Sequence, residues 1–112
     1  MKFYKDYISE RLGQSLLETS AGFVAYKCTP PECFINEFYI AQEFRKEKQG
    51  SKELLEKLEQ IAIDEGCAFI SGVVYIEDPG SSRTLKAAFK QGFKIKAAQN
   101  NSVVVVKKVK GD

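Results

Sequence analysis

The sequence predicts one domain of the α+β (α/β) class, with a mixed, mostly antiparallel twisted sheet flanked by helices. Three observations predict it. Three β-favouring runs follow one another between residues 15 and 40, which gives an antiparallel meander. An amphipathic helical stretch then separates the third run from a fourth across residues 33 to 76, and a strand–helix–strand step of this kind makes a right-handed parallel crossover. Two further apolar runs near the C-terminus close on the turn Gln99-Asn100-Asn101 as a hairpin. A length of 112 residues with 44% hydrophobic and 29% charged residues suits a single small core, residues 1–112 throughout.

Taken in order, Phe3, Tyr4, Tyr7, Ile8 and Leu12 recur at helical spacing and Gly13 follows as a stop, so residues 3 to 12 read as an amphipathic helix. Ser15 to Thr19 and Gly22 to Cys28 are short strands with Ser20-Ala21 as their turn, and Thr29-Pro30-Pro31-Glu32 breaks the chain before the strand Cys33 to Ile40. Leu54, Leu55, Leu58, Ile61 and Ala62 mark one face of a helix from about Ser51 to Glu65, ended by Gly66. Ala68 to Ile76 reads as a strand buried on both faces. The turn EDPGSS leads to a short helix, Ser82 to Gln91, and the strands Phe93 to Ala98 and Ser102 to Val109 finish the chain.

Composition excludes several kinds of chemistry. With no histidine, the Ser-His-Asp and Cys-His arrangements and imidazole zinc sites are absent. Cys28, Cys33 and Cys67 are an odd count, expected as reduced thiols. Cys28 and Cys33 flank a turn, but a metal wants about four ligands, and only Cys67 or carboxylates are left to complete a set, so no metal site is expected. A net charge of +2 does not ask for a nucleic-acid partner, and the lysines of residues 45–52 lack interleaved aromatics for base stacking. No apolar run reaches membrane-span length, and MKFYKDYISERLG lacks the apolar core of a signal peptide, so a cytoplasmic protein without membrane association is expected.

The stretch Phe44 to Leu55, FRKEKQGSKELL, carries the candidate chemistry. Taken alone, Gln49-Gly50-Ser51 reads as a turn and helix cap with solvated lysines. It also has the makings of an anion socket. The first amide groups of a helix have no intrahelical partners, the helix dipole adds partial positive charge there, and a glycine lets backbone approach a phosphate closely. Gly50 supplies that clearance, Ser51 a cap or phosphate donor, and Arg45, Lys46, Lys48 and Lys52 the positive field. Lys48 also gives up the positive φ that glycine would allow.

INEFYIAQEFRKEKQGSKELL, in this order of elements, resembles the core of the GNAT superfamily of N-acyltransferases, a likeness that spans about residues 14 to 109. Ile40, Arg45 and Gly50 fall in register with the family's strand end and its Arg/Gln-x-x-Gly-x-Gly/Ala loop, and Lys48 stands at the first glycine. SSRTLKAAFKQGF is similar to the later family segment at Lys90, Gly92 and Phe93, with Ala88 where the family often keeps a tyrosine acid and Ser81 where it keeps asparagine. The resemblance implies a GNAT-like fold and transfer of acetyl from acetyl-CoA (coenzyme A) to a primary amine of a protein or small molecule by direct attack. It places the cofactor at Phe38, Tyr39, Ile40, Arg45, Lys46, Lys48, Gln49, Gly50 and Ser51. Backbone N–H groups of Phe38 to Ile40 would hold the thioester carbonyl. Glu37, three residues before Ile40, would be the base, its pKa raised by apolar neighbours or else the carboxylate facing solvent. Tyr75, Ser81 and Ser82 are stand-ins for the general acid. The family's opening strand and helix have no counterpart here, so an exposed sheet edge is expected to pair with a second copy, as a homodimer, or with a partner protein. The alternative is a catalytically degenerate, GNAT-like interaction or inhibitory protein, like the compact acyltransferase-like chains carried by phages.

Overall fold

The computed structural model describes residues 2–45 and 48–109, with Lys2, Lys48 and Gln49 described by their backbone alone. The elements are α1 (Lys2–Leu12), β1 (Ser15–Glu18), β2 (Gly22–Thr29), β3 (Glu32–Ile40), a single 3₁₀ turn (Gln42–Phe44), α2 (Lys48–Asp64), β4 (Phe69–Tyr75), α3 (Ser81–Lys90), β5 (Lys94–Gln99) and β6 (Ser102–Lys108). They form a six-stranded sheet in the order β1-β2-β3-β4-β6-β5. The β3–β4 pair is parallel and every other pair antiparallel, as the crossover predicts.

Directly opposed residues share a face of a sheet, so the register sorts the side chains. Val24, Cys33, Ile70, Val103 and Val105 point to one face and meet Leu54, Leu55, Leu58 and Ala62 of α2, with Cys67 and Phe93 completing the core. The valine-rich β6 thus lies inside the sheet, between β4 and β5. The opposite face is covered by α1 near β1 and β2, where Ile8 and Ala25 are fully buried.

Not all of the predicted α1 stripe faces inward. Tyr4 and Ile8, four apart, turn toward the sheet. Phe3, Tyr7 and Leu12 are exposed, because a helix resting on two strands buries only a narrow stripe.

Two local irregularities shape β3. Between Ala25↔Glu37 and Tyr26↔Ile35 the register shifts, so Asn36 is an extra residue in β3, a β-bulge. It swings the second half of the strand by one position, and Glu37 comes to share a face with Ala25, toward α1. At the strand's end Gly22 opposes Ile40, and a Cβ there would lie 1.9 Å from the Tyr39 carbonyl oxygen, so a side chain at position 22 is incompatible with this pairing.

Candidate functional site

The parallel pair is joined at one end only. Glu32↔Phe69, Cys33↔Ile70 and Phe34↔Ser71 are its three steps, after which β3 runs on to Ile40 and β4 to Tyr75 without pairing each other. Each strand stays fixed along its outer edge, β3 to β2 as far as Gly22↔Ile40 and β4 to β6 as far as Tyr75↔Ser102. The inner edges therefore bound a slot whose backbone N–H and C=O groups are not used in a β3–β4 ladder. Among the expected residues, Phe38, Tyr39 and Ile40 lie along it, with Phe38 and Tyr39 exposed and Ile40 packed against the core.

The slot opens at the C-terminal ends of both strands, where the chain turns through Gln42–Phe44 into α2. Arg45 is anchored there. Its Nε donates to the Ile40 carbonyl at 2.8 Å, and its guanidinium carbon sits 5.5 Å from the centre of the Tyr39 ring. The contact fits a cation over an aromatic face. Lys46 lies outside the described residues.

Helix α2 begins at Lys48, three residues before the expected Ser51, so Lys48, Gln49, Gly50 and Ser51 form its first turn. Ser51 is accordingly inside the helix instead of capping it. The expected conflict at Lys48 does not arise, since the backbone there is helical and no described non-glycine residue has a positive φ. Gly50 is buried, and a Cβ on it would stand 3.1 Å from the Ala21 Cβ, 3.7 Å from the Phe44 Cβ and 3.8 Å from Ile40 Cγ2. Its missing side chain thus lets the helix start settle against the end of β3. Lys52 makes a loose i,i+4 pair with Glu56 at 3.9 Å on the solvent side.

Glu37 is exposed and not lodged among apolar neighbours; its carboxylate accepts a hydrogen bond from the Tyr4 hydroxyl. This bond, with burial second, pushes the Tyr4 phenol above its ordinary 10.0, so it remains a proton donor at neutral pH. Tyr4 also meets Phe23 edge-on at 5.8 Å between ring centres, and Phe23 packs at 5.6 Å on Tyr39. Tyr4, Phe23, Glu37, Tyr39 and Arg45 are thus one connected cluster at the α1 side of β3. The helical spacing of Tyr4 with Ile8 marks the inward face of α1 but cannot reveal a partner 33 residues away.

On the far strand the expected acids are less well disposed. Ser81 starts α3 and donates its hydroxyl to the Ile76 carbonyl at 2.8 Å, while Ala88 packs on the core. Tyr75, at the end of β4, is 54% exposed and retains an accessible phenol. With Gln99, Asn100, Asn101 and Ser102 it lines a shallow, open concavity of about 470 Å³ at the β5–β6 turn. Glu37 and Arg45 are therefore linked through Tyr4, Phe23 and Tyr39 on the β3 bank, whereas Tyr75 and Ser81 belong to the opposite bank.

A sheet parted between two parallel strands, with a helix N-terminus at the mouth of the slot, defines a recognisable architecture. The chain has the fold of the GNAT N-acetyltransferases. It superposes with a TM-score of 0.68 on the PaiA N-acetyltransferase of Thermoplasma acidophilum, a structure in complex with coenzyme A, at 24% identity over 79% of this chain and 53% of that one. The Escherichia coli ribosomal-protein-S18-alanine N-acetyltransferase gives a TM-score of 0.70 at 13% identity, covering 99% of this chain and 77% of that chain. The aminoglycoside 6'-N-acetyltransferase of Enterococcus faecium gives 0.66 at 13%, covering 82% and 69%. The chain spans as little as about half the length of these enzymes, 53% for the PaiA protein. No family model matches the sequence, and no curated protein matches it.

No helix of the described residues is long and apolar enough to cross a membrane.

Proposed function

We propose that the chain is an N-acetyltransferase that moves an acetyl group from acetyl-CoA to a primary amine of a protein or small molecule. The observation that carries this reading is the slot between β3 and β4, whose inner edges lose their ladder after Phe34↔Ser71 and whose mouth lies at the start of α2. The residues present fit the cofactor: an extended pantetheine can hydrogen-bond to a free strand edge, and a pyrophosphate suits a helix N-terminus that Arg45 and Lys46 precede in sequence and Lys48 begins. Gln49, Gly50 and Ser51 complete that first turn. When bound, acetyl-CoA supplies the activated acyl carbon and a thiolate leaving group.

The rest is work for this chain's own side chains. Backbone N–H groups of Phe38 to Ile40 that face the slot orient a carbonyl and stabilise negative charge on it. An alkyl amine titrates near ~10.4 and must lose a proton before it attacks. Glu37 takes that proton directly or through water, and the Tyr4 hydroxyl holds the carboxylate in place. Tyr75 is the better placed proton donor of the opposite bank, because the Ser81 hydroxyl is engaged with the Ile76 carbonyl. We place the protein in the cytoplasm with its cofactor.

Calorimetric titration with acetyl-CoA tests the reading. Saturable binding at micromolar affinity is expected, weakened roughly fivefold in Arg45→Ala by loss of about 1 kcal/mol of interaction. Absence of binding at millimolar ligand overturns it.

Ala88 in the core and the engaged Ser81 hydroxyl favour a second reading, an interaction or inhibitory protein built on the same fold. Its docking element would be the edge strand β1 beside the exposed Phe3, Tyr7 and Leu12 of α1, which would take a second copy or a partner protein. Binding of acetyl-CoA without transfer to any amine of a broad panel would select it.

A further inference from the structure

The end of the sheet away from the slot holds a group of side chains that acyl transfer does not use. All three cysteines meet there. Cys28 and Cys33 are directly opposed across the antiparallel β2–β3 pair. Such residues lie ~4.5–5.5 Å apart between Cα atoms, inside the ~4.4–6.8 Å that a disulfide bridges. Cys67 arrives from the junction of α2 and β4. That junction is pinned to the hairpin turn, because the N–H groups of Ala68 and Phe69 both donate to the Pro31 carbonyl, at 2.7 Å and 3.3 Å.

The Cys28 thiol lies close enough to the Cys33 and Cys67 thiols to raise the pKa of both. All three are free. Cys33 and Cys67 are 0% and 2% exposed, whereas Cys28 is only half-buried. Burial, then the contact with Cys28, drives the Cys33 thiol far up and the Cys67 thiol up to about 11. The buried pair therefore stays protonated at neutral pH and does not meet solutes first.

We propose that this cluster is an oxidation site at which Cys28 reacts with hydrogen peroxide and Cys33 resolves the product as a Cys28–Cys33 disulfide. In the first step the peroxide O–O bond breaks as an S–O bond forms on Cys28, giving a sulfenic acid and releasing water. In the second, the Cys33 sulfur displaces the hydroxyl from Cys28; the S–O bond breaks, S–S forms, and the Cys33 proton leaves with the hydroxyl as a second water. The two thiols together give up the two electrons that reduce the peroxide. Cys33 is the resolving partner because the strand register fixes its backbone opposite Cys28, a constraint that Cys67, held on another element, does not share.

The test is peptide mapping of the folded, fully reduced chain after treatment with hydrogen peroxide, alkylation under denaturing conditions and tryptic digestion. Cys28 and Cys33 fall in one tryptic peptide, residues 28–45, and Cys67 in another, residues 58–83. The expected product is peptide 28–45 lighter by two hydrogens and unalkylated, reverting on reduction, with Cys67 alkylated as a thiol. Cys67→Ser is expected to preserve the product. Cys33→Ser is expected to leave a Cys28 sulfenic acid that dimedone captures. A cross-link between the two peptides, over-oxidation of Cys28 with Cys33 still a thiol, or no oxidation of Cys28 overturns the proposal.

Discussion

The two ends of the parallel β3–β4 pair differ in almost every respect. At the closed end, Cys33 and Ile70 are opposed and fully buried, and the buried Ser71 donates its hydroxyl to the Glu32 carboxylate. At the open end, Asn36 to Tyr39 and Tyr75 are exposed and the two strands no longer pair. One sheet thus separates two tasks. Apolar burial and closed ladders hold the strands together at one end, and groups left without a ladder are available for a ligand at the other.

The comparison is broken most directly by truncating one residue at each end. Ile70→Ala leaves a cavity at the closed end, with an expected loss of about 2–5 kcal/mol in urea unfolding. Phe38→Ala at the open end, where the ring is 39% exposed, is expected to cost less than about 1 kcal/mol. Equal losses would mean that the open end is part of the core.

A smaller effect is expected from pH. The Cys67 thiol is raised by burial from its ordinary 9.0 to about 11, and Cys33 is raised further. These thiols hold their protons more tightly folded than unfolded, so their contribution is fully present below pH 9 and is lost as pH climbs toward and past 11. Unfolding free energy is expected to fall across this window in wild type and to fall less steeply in Cys67→Ser. An unchanged slope would mean that the closed end is wetter than its burial indicates.

The smallest stability effect belongs to Tyr4→Phe, which removes a single hydrogen bond on an accessible carboxylate and is expected to cost within about 1 kcal/mol. Its signature is kinetic instead. In an active acetyltransferase it lowers turnover through the loosened Glu37 while acetyl-CoA affinity is retained. Loss of cofactor affinity with unchanged turnover would detach Tyr4 from the reacting end.

Much of the fold could be read from local patterns. The meander, the crossover and the closing hairpin each announce themselves by period and turn chemistry within a few residues. Ile40, Arg45 and Gly50 were legible for the same reason, lying on one continuous stretch. What was not legible depends on contacts distant in sequence. The apolar period of α2 starts at Leu54, so nothing local shows that the helix begins at Lys48, where Gly50 packs on Ala21. Nor does FINEFYI betray a bulge, which exists only relative to β2. The Tyr4–Glu37 bond and the approach of Cys67 to Cys28 need the folded sheet before they exist at all.

The bulge at Asn36 has a bearing on how such a chain tolerates shifts of register. Drawing Asn36 into the ladder opposite Ala25 would restore even alternation to β3 and rotate Glu37, Phe38, Tyr39 and Ile40 together to the wrong sides. The carboxylate would then point at α2 and Ile40 away from the core, although every residue of the site would still be present in order. In β3, spelling and phase are separate kinds of information, and a comparison of sequences that counts only matching letters would miss the second.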